Sequence, residues 1–597
     1  MSRRWDAAEY GRSAMIVARE MPICLIRPPA VETFRFATTS ITPPLGLAYV
    51  AGALEAAGER VHLIDSVAEA PDTVRRYFRG YLIGLPFEDI ARRIPANVKL
   101  VGISVVFTHE WPAVVRLIDT IKQLRPEVLI VLGGEHITSM PEFCLRTSSA
   151  DILVLGEGEE TVIEVVHALD AGKSLDDVDG IAFRSDGDVV VNPRRSRTLA
   201  IDDIRWPAWH HVDLDTYHAH RWMGGMYSST KSVPILATRG CPYQCTYCSA
   251  PNMWTPRWIP RDPAKVADEI QYYVEHWGAR NFPFQDLTAI IRRDWIIDFC
   301  RELIDRGLEI TWQMPTGTRS EAIDEEVAEL LSRTGLISMA YAPESGSEET
   351  RQFIKKRMKT DRLYESMRAA VKSDLNVSVF LVIGFPHDSE VNMRENLPFL
   401  DELADIGITD IAVGFYMALP GTEIFDSLYD NNKIRIDRTY FRHILAATSL
   451  WSTSTYCEEL SNLELTRWKF RLFRRFYSRR RANVENAGLL SSLKQSVARL
   501  RGVSGDASKF QTAFRNGVVS GIETVRSKPR RGWMSRAEEK RMFAPWDDIY
   551  REIRAQNVRV GAHVLAPADT RELHENNVIR PLKAAHAVRR RIPVRSG

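Results

Sequence analysis

Three cysteines fall within eight residues of one another, Cys241, Cys245 and Cys248, in the run RGCPYQCTYCSAP with spacing C-x3-C-x2-C. Three thiolates this close on one loop can hold three corners of a cubane iron–sulfur cluster, and successive backbone N–H groups can stabilise its negative charge. Three ligands leave one iron open to a substrate, as catalytic metal sites keep an open position. The bland alternatives are a zinc knuckle and a chance grouping. Zinc would want a fourth Cys or His at short spacing, and none follows Cys248. The other four of the seven cysteines (Cys24, Cys144, Cys300, Cys457) stand singly and read as small core residues.

A second group of candidates lies earlier, in three loops that each follow an apolar run. These are 104–108 with His109, the stretch Gly133, Gly134, Glu135 and His136, and the stretch Gly156, Glu157 and Gly158. In open parallel sheets, ligands bind in the crevice beyond the strand C-terminal ends. Small residues there let a large planar group approach the backbone. Glycines after strands are also ordinary turn residues.

The elements that must position both groups read as two α/β series. In the first, ICLIR (23–27), RVHLID, KLVGISVV, VLIVLGG and ADILVLGEG are strands. The stretches 44–58, 112–124 and 159–169 are helices. Apolar strands alternating with helices predict a parallel sheet covered on both faces, a doubly wound (Rossmann-like) domain. The stretch 200–230, rich in Trp, His, Asp and Tyr, reads as a linker that packs on something.

The second series has strands PILAT (234–238), NFPFQ (281–285), EITWQ (309–313), ISMAY (337–341), VSVFLVIG (377–384) and ITDIAVGFY (408–416). Helices at 263–276, 295–306 and 325–332 separate them. Six repeats predict a partial (β/α)6 barrel of the TIM type, with its chemistry at the strand C-terminal ends. Strand ends carry Gln285 and Asp286, then Arg319, then Glu344, Ser345 and Gly346, then Gly384, Phe385 and Pro386, then Leu419, Pro420, Gly421 and Thr422. Taken singly, Asp286 or Glu344 could equally be a helix N-cap or first-turn charge.

The cysteine loop, with Tyr247 before the third cysteine, resembles the signature of the radical S-adenosylmethionine (SAM) superfamily over about residues 231–430. The resemblance implies a 4Fe–4S cluster on Cys241, Cys245 and Cys248. SAM would chelate its open iron and be cleaved reductively to methionine and a 5′-deoxyadenosyl radical. Tyr247, Gln285, Asp286, Arg319, Glu344, Ser345 and Gly384 become the SAM-contact candidates. Ahead of it RPP (27–29), TPPLGLAYVAGAL (42–54), GISVVFT, GGEHIT and GEGEET look like the cobalamin-binding domain of cobalamin-dependent radical SAM enzymes. Ser104, Thr108, His109, Gly133, Gly134, His136, Gly156 and Glu157 are the matching cobalamin candidates. No D-x-H-x-x-G motif is present, so the resemblance implies base-off cobalamin with no histidine on cobalt.

The family resemblance implies a methyltransferase of the class B type. It would move a methyl group from SAM through methylcobalamin to an unactivated carbon of a small molecule, in specialised-metabolite biosynthesis. No further catalytic residue is needed beyond the cofactors. An external electron donor such as flavodoxin or ferredoxin would supply electrons. The alternatives are an oxidative cyclase of the anaerobic Mg-protoporphyrin ester type and a non-catalytic corrinoid or redox sensor. A tRNA methylthiotransferase would need a second cysteine trio, which Cys24 and Cys144 cannot supply.

The 597 residues are too many for one core. The expected division is an N-terminal extension at 1–20, a cobalamin-binding domain at 21–199, the linker at 200–230, the radical SAM domain at 231–430, and a helical basic C-terminal domain at 431–597. A net charge of +2 gives no whole-chain pull toward nucleic acid, and no apolar run approaches a membrane span. No signal-peptide core follows Arg3 and Arg4, so a cytoplasmic location is expected. Residues 465–480 interleave Trp468, Phe470, Phe473, Phe476 and Tyr477 with Lys469, Arg471, Arg474 and Arg475. On a helix this reads as an aromatic stripe on the barrel with a solvated basic face, or else as a cover over its mouth.

Overall fold

The computed structural model describes residues 22–486, apart from 34–40, 79, 186, 447–448 and 453, and isolated residues between 537 and 592. The extension at 1–20 and most of the basic run at 528–542 lie outside the described residues.

Strand β1 (Ile23–Arg27) sends Ile23 and Leu25 into one core and Cys24 and Ile26 into another. A strand apolar on both faces must be covered on both. Helix α1 (Leu45–Ala56) lies on the first side. β1 pairs in parallel with β2 (Val61–Asp65) and β3 (Leu100–Ser104). After α2 (Trp111–Leu124), which covers the second side, come β4 (Leu129–Gly133), α3 (Glu135–Ser139), β5 (Ile152–Val154) and α4 (Glu159–Asp170), the last packed beside α1. The parallel order is β2-β1-β3-β4-β5, a doubly wound sheet whose strands all end on one edge.

Three further strands extend this sheet. β6 (Ile181–Ser185) and β7 (Asp188–Val191) run antiparallel beyond β5, and Arg590–Ile592 pairs antiparallel with β7. A separate three-stranded antiparallel sheet joins Ala30–Glu32, Gly80–Ile83 and Val74–Tyr77. These short strands were not read from the sequence. They are three to five residues long and most mix polar with apolar positions, as in VRRY, AVE and IAFRS, so they do not stand out as apolar runs.

The 200–230 stretch does pack. Ala208 donates its N–H to the Ala48 carbonyl of α1 at 2.9 Å, and Trp209 and Tyr217 are fully buried. Tyr217, on α5 (Leu214–Ala219), donates its hydroxyl to the Asp65 carboxylate at 2.8 Å and accepts from Arg27. Farther along, Met226 exchanges two hydrogen bonds with the Gln313 side chain, at 2.7 and 2.9 Å. One segment is thereby stitched to both α/β units.

In the second unit, after α6 (Ala250–Trp254), β8 (Asn281–Pro283), β9 (Thr311–Thr318), β10 (Leu336–Glu344), β11 (Asn376–Ile383) and β12 (Asp410–Phe415) form a five-stranded parallel sheet in sequence order. The expected first strand at 234–238 joins it only through single parallel bridges, Ser232 to Asn281 and Ile235 to Phe284. Pro234 has no N–H to give a ladder. Thr238 and Arg239 then turn away to pair antiparallel with Ile259–Pro260. With that irregular strand the unit is an open six-repeat barrel.

Helix α7 (Glu390–Ile406) follows β11 in the chain, and α8 (Asn462–Asn486) packs along α7. Trp468, Leu472 and Phe476 face inward, while Phe470 is exposed. The basic face is not simply solvated: Arg475 pairs with Asp401 at 2.6 Å and Arg479 with Asp405 at 2.8 Å, both on α7. Among the described residues no helix is long and apolar enough to cross a membrane.

Candidate functional site

The cysteine loop sits between the irregular first strand and α6, half-buried, with all three thiols free. Its backbone is pinned from two later loops. Thr246 donates its N–H to the Ile354 carbonyl, and Ile424 donates to the Thr246 carbonyl, each at 3.1 Å. Burial pushes all three thiols up, and nearby negative charge adds to the rise, from neighbouring cysteines at Cys241 and Cys248 and from Glu344 at Cys245. Lys356 and Arg319 oppose that rise at Cys241 and Cys245. A pocket of thiols that resists ionisation alone, yet is faced by two cations, fits a donor set that becomes thiolate on binding iron.

Glu344, the last residue of β10, is buried and holds a left-handed backbone (φ +67°). For a residue with a Cβ this costs free energy, of order 1 kcal/mol or more, and it re-aims the side chain. Its carboxylate accepts from the Tyr247 hydroxyl at 2.6 Å and from Lys356 Nζ at 3.0 Å. Tyr247 also packs edge-on against Phe385, beside Gly384, with ring centroids 5.6 Å apart. Arg319 lies 3.9 Å over the Tyr243 ring of the same loop. Tyr247, Glu344, Arg319 and the Gly384 turn therefore do converge on the cysteines.

The remaining barrel candidates are engaged otherwise. Asp286 is fully buried and accepts from Thr238 N–H and Oγ1 (2.5 and 2.7 Å) and from Ala237 N–H (3.2 Å). Burial still raises its carboxyl to about 6. It braces the end of the irregular first strand. Gln285 turns to the 222–226 segment, donating to the Met223 carbonyl. Ser345 is buried, its hydroxyl accepting from Ser347 N–H. Gly384 (φ +87°) donates its N–H to Asp388 at 2.8 Å.

On the N-terminal unit, Ser104, Gly133 and Gly156 lie at or just past the ends of β3, β4 and β5. A Cβ on Gly133 would make only ordinary contact with Val154 at 3.9 Å, and one on Gly156 with Arg194 at 3.8 Å, so the chain itself does not crowd either position, although φ +78° favours glycine at Gly156. Gly134 is different. Its φ of +119° and an imagined Cβ 2.4 Å from the Val105 carbonyl oxygen make glycine a backbone requirement. Val106 and Phe107 beside these ends are 46% and 39% exposed. Exposed apolar side chains bordering glycine-lined space suit a large, flat, largely apolar group.

His109 is engaged elsewhere, and His136 keeps its Nε2 unpartnered among the described residues but is buried. His136 is buried under Trp111 and shares a 3.2 Å hydrogen bond with Thr108, and burial holds it neutral, down to about 3. His109 has Nε2 3.1 Å from the Val31 carbonyl and stacks on Phe107. Glu157 pairs with Arg197 at 2.6 Å and Arg239 at 3.1 Å, while Glu159 holds Arg239 at 2.5 Å. Arg239 is two residues before Cys241.

The two groups of candidates meet. Ser249, next to Cys248, donates to Glu135 at the start of α3, and Asn252 of α6 donates to Ser139 at its end, at 3.1 Å. The 419–422 turn closes over this contact. A Cβ on Gly421 would sit 2.7 Å from Asn252 and 2.9 Å from Ser139. Reading by motif missed Arg239, Ser249, Asn252 and Lys356. For Lys356 the only signal was a basic run, KKR, that usually marks a solvated face.

Residues 35–166 match the profile of the B12 binding domain, and residues 235–400 match that of the radical SAM superfamily. The chain is 28% identical to cytidylyl-2-hydroxyethylphosphonate methyltransferase of Streptomyces wedmorensis, over 73% of this chain and 88% of that protein. It is also 28% identical to an anaerobic magnesium-protoporphyrin IX monomethyl ester cyclase of Synechocystis sp., over 72% and 82%. Its fold matches the cobalamin-dependent S-adenosylmethionine radical enzyme OxsB, with a TM-score of 0.58 at 16% identity, covering 89% of this chain and 84% of that one. Two matched profiles in this order, on a doubly wound sheet facing an open barrel with its cysteine trio, give the chain a B12-binding domain followed by a radical SAM domain, on the fold of that enzyme.

Proposed function

We propose that the chain is a cobalamin-dependent radical SAM methyltransferase acting on an unactivated carbon of a small molecule. The observation that carries the reading is the abutment of the cysteine loop on the β4–α3 turn, through Ser249–Glu135 and Asn252–Ser139. On this reading the contact would bring a cluster site and a corrinoid site to face each other across one chamber. When bound, cluster and corrinoid supply the electron that cleaves SAM and the carrier for its methyl group.

The chain's own residues bind and orient. Cys241, Cys245 and Cys248 hold the cluster. Tyr247, Glu344 and Lys356 form a charge-assisted chain that fixes the loop and offers Glu344 toward SAM. Arg319 adds positive charge beside the thiolates. Asp286 acts by bracing Ala237 and Thr238. Gly133 and Gly156 give the corrinoid backbone access, and Val106 and Phe107 give it apolar cover. His136 is buried and His109 is turned to Val31, so neither would serve as a ligand to a bound corrinoid. The cyclase remains the second reading, because the Synechocystis cyclase is as similar to this chain as the Streptomyces methyltransferase.

The test is anaerobic reconstitution with iron, sulfide and hydroxocobalamin, then reductant and SAM. Both 5′-deoxyadenosine and S-adenosylhomocysteine should form. 5′-Deoxyadenosine alone, without corrinoid uptake, would remove the methyl-transfer reading and keep the radical SAM core.

A further inference from the structure

Away from the chamber, Glu55, His210 and His211 bring three potential metal-ligating atoms within 4.8 Å of one another. Glu55 is one residue from the end of α1, and the histidines form the turn Trp209–His211 in the 200–230 segment. His211 Nε2 lies 2.7 Å and His210 Nε2 3.1 Å from the same Glu55 oxygen. The two rings are 4.3 Å apart and tilted by 40°, so both Nε2 atoms converge on one point.

The backbone holds this arrangement in place before any ligand arrives. α1 carries glycine at position 52, where a Cβ would sit 2.5 Å from the Trp206 carbonyl oxygen. The helix and the 205–208 segment therefore approach closely, and Ala208 N–H to Ala48 O at 2.9 Å fixes the register. Histidines at adjacent positions on a tight turn have little freedom left to lose. The side chains are 20% (His211), 34% (Glu55) and 57% (His210) exposed, open enough for an ion to enter with water in its remaining positions.

We infer that Glu55, His210 and His211 form a binding site for a divalent zinc-like ion. Two imidazole nitrogens and one carboxylate oxygen are a borderline donor set, suited to Zn²⁺ and unsuited to Ca²⁺ or Mg²⁺, which take oxygen-rich sites. The site is structural. β1 delivers its C-terminal end to the chamber and α1 runs back from there, so Glu55 lies at the opposite edge of the sheet. An ion here ties α1 to the segment that carries Tyr217 and Trp209 and that reaches the barrel at Met226.

Titrating the cluster-loaded full chain with ZnSO₄ by isothermal calorimetry should show one site. That site should weaken by about 100-fold or more in His211→Ala and in Glu55→Ala, at least the upper end of what loss of an outer-shell partner costs. Zinc should also slow hydrogen exchange in 205–217 in the parent chain and not in the variants, whose melting temperature without zinc should match the parent's. Zinc uptake equal in parent and variants, or no uptake at micromolar zinc, would overturn the inference.

Discussion

Replacing Arg239 by methionine removes the cation that two carboxylates of the N-terminal unit share. The guanidinium side chain is 5% exposed, and those of Glu157 and Glu159 are 8% and 11% exposed. Breaking one partner of so buried a set leaves charge uncompensated, at a cost of about 3–5 kcal/mol. Glu157 keeps Arg197 at 2.6 Å, so most of the cost falls on Glu159. For a cooperative unit of ~200 residues, each kcal/mol moves the melting temperature by about 2–4 °C, so a fall of roughly 10 °C is expected. The assay is anaerobic thermal unfolding of the cluster-loaded chain, with iron counted before the melt. Arg239→Met with Glu159→Gln should recover a large part of the loss, since the stranded charge is gone. Arg239→Met unfolding within about 2 °C of the parent, or no recovery in the double variant, would refute the claim that this clamp joins the two units.

Other substitutions separate fold from binding. Gly134→Ala should destabilise the N-terminal unit by about 2–4 kcal/mol, through positive φ and the clash with Val105, read by denaturant unfolding. Gly133→Ala should leave the unfolding midpoint unchanged, yet lower corrinoid uptake, measured by the absorbance of cobalamin retained after gel filtration. Lys356→Met should cost about 3 kcal/mol and cut 5′-deoxyadenosine formation at least ~10-fold, because Glu344 is left buried with one hydrogen bond the fewer. Burial holds His136 at about 3 and His443 at about 4, below the ~6.5 of an unfolded chain. The unfolded state therefore binds the extra protons. The stability these two provide is complete above about pH 6.5 and is lost as pH falls, toward about 4 for His443 and about 3 for His136, at ~1.4 kcal/mol per unit for each. A His443→Gln chain should show a shallower acid branch in a series of unfolding midpoints.

How much of this was legible in the sequence depended on length of pattern and on range of contact. The strands set in mostly apolar runs and the cysteine trio were readable, because each is a local signal. β6, β7 and the strands at 30–32, 74–77 and 80–83 were not, because they are short and most mix polar with apolar residues, as in VRRY, AVE and IAFRS. The first barrel strand looked regular in PILAT, but Pro234 and the pull on Arg239 reduce it to two bridges. Glu157 followed a strand in a glycine-rich loop and looked like a cofactor contact. The structure instead gives it to Arg197 and Arg239, a partnership across 82 residues that no local pattern reveals. Asp286 was equally open between cap and ligand, and its partners are Ala237 and Thr238. The aromatic run at 465–480 did form a buried stripe. Its cations found Asp401 and Asp405 on α7, which only the packing of two helices could show.

The central claim is that the cysteine loop and the strand ends of the N-terminal unit face one chamber. Electron paramagnetic resonance of the reconstituted chain, with the cluster reduced and the corrinoid held as cob(II)alamin, tests it most directly. The expected result is magnetic coupling that broadens or splits both signals, lost when Cys241, Cys245 and Cys248 are all changed to Ala. Two full-intensity signals, each identical to that of the isolated centre, would contradict it.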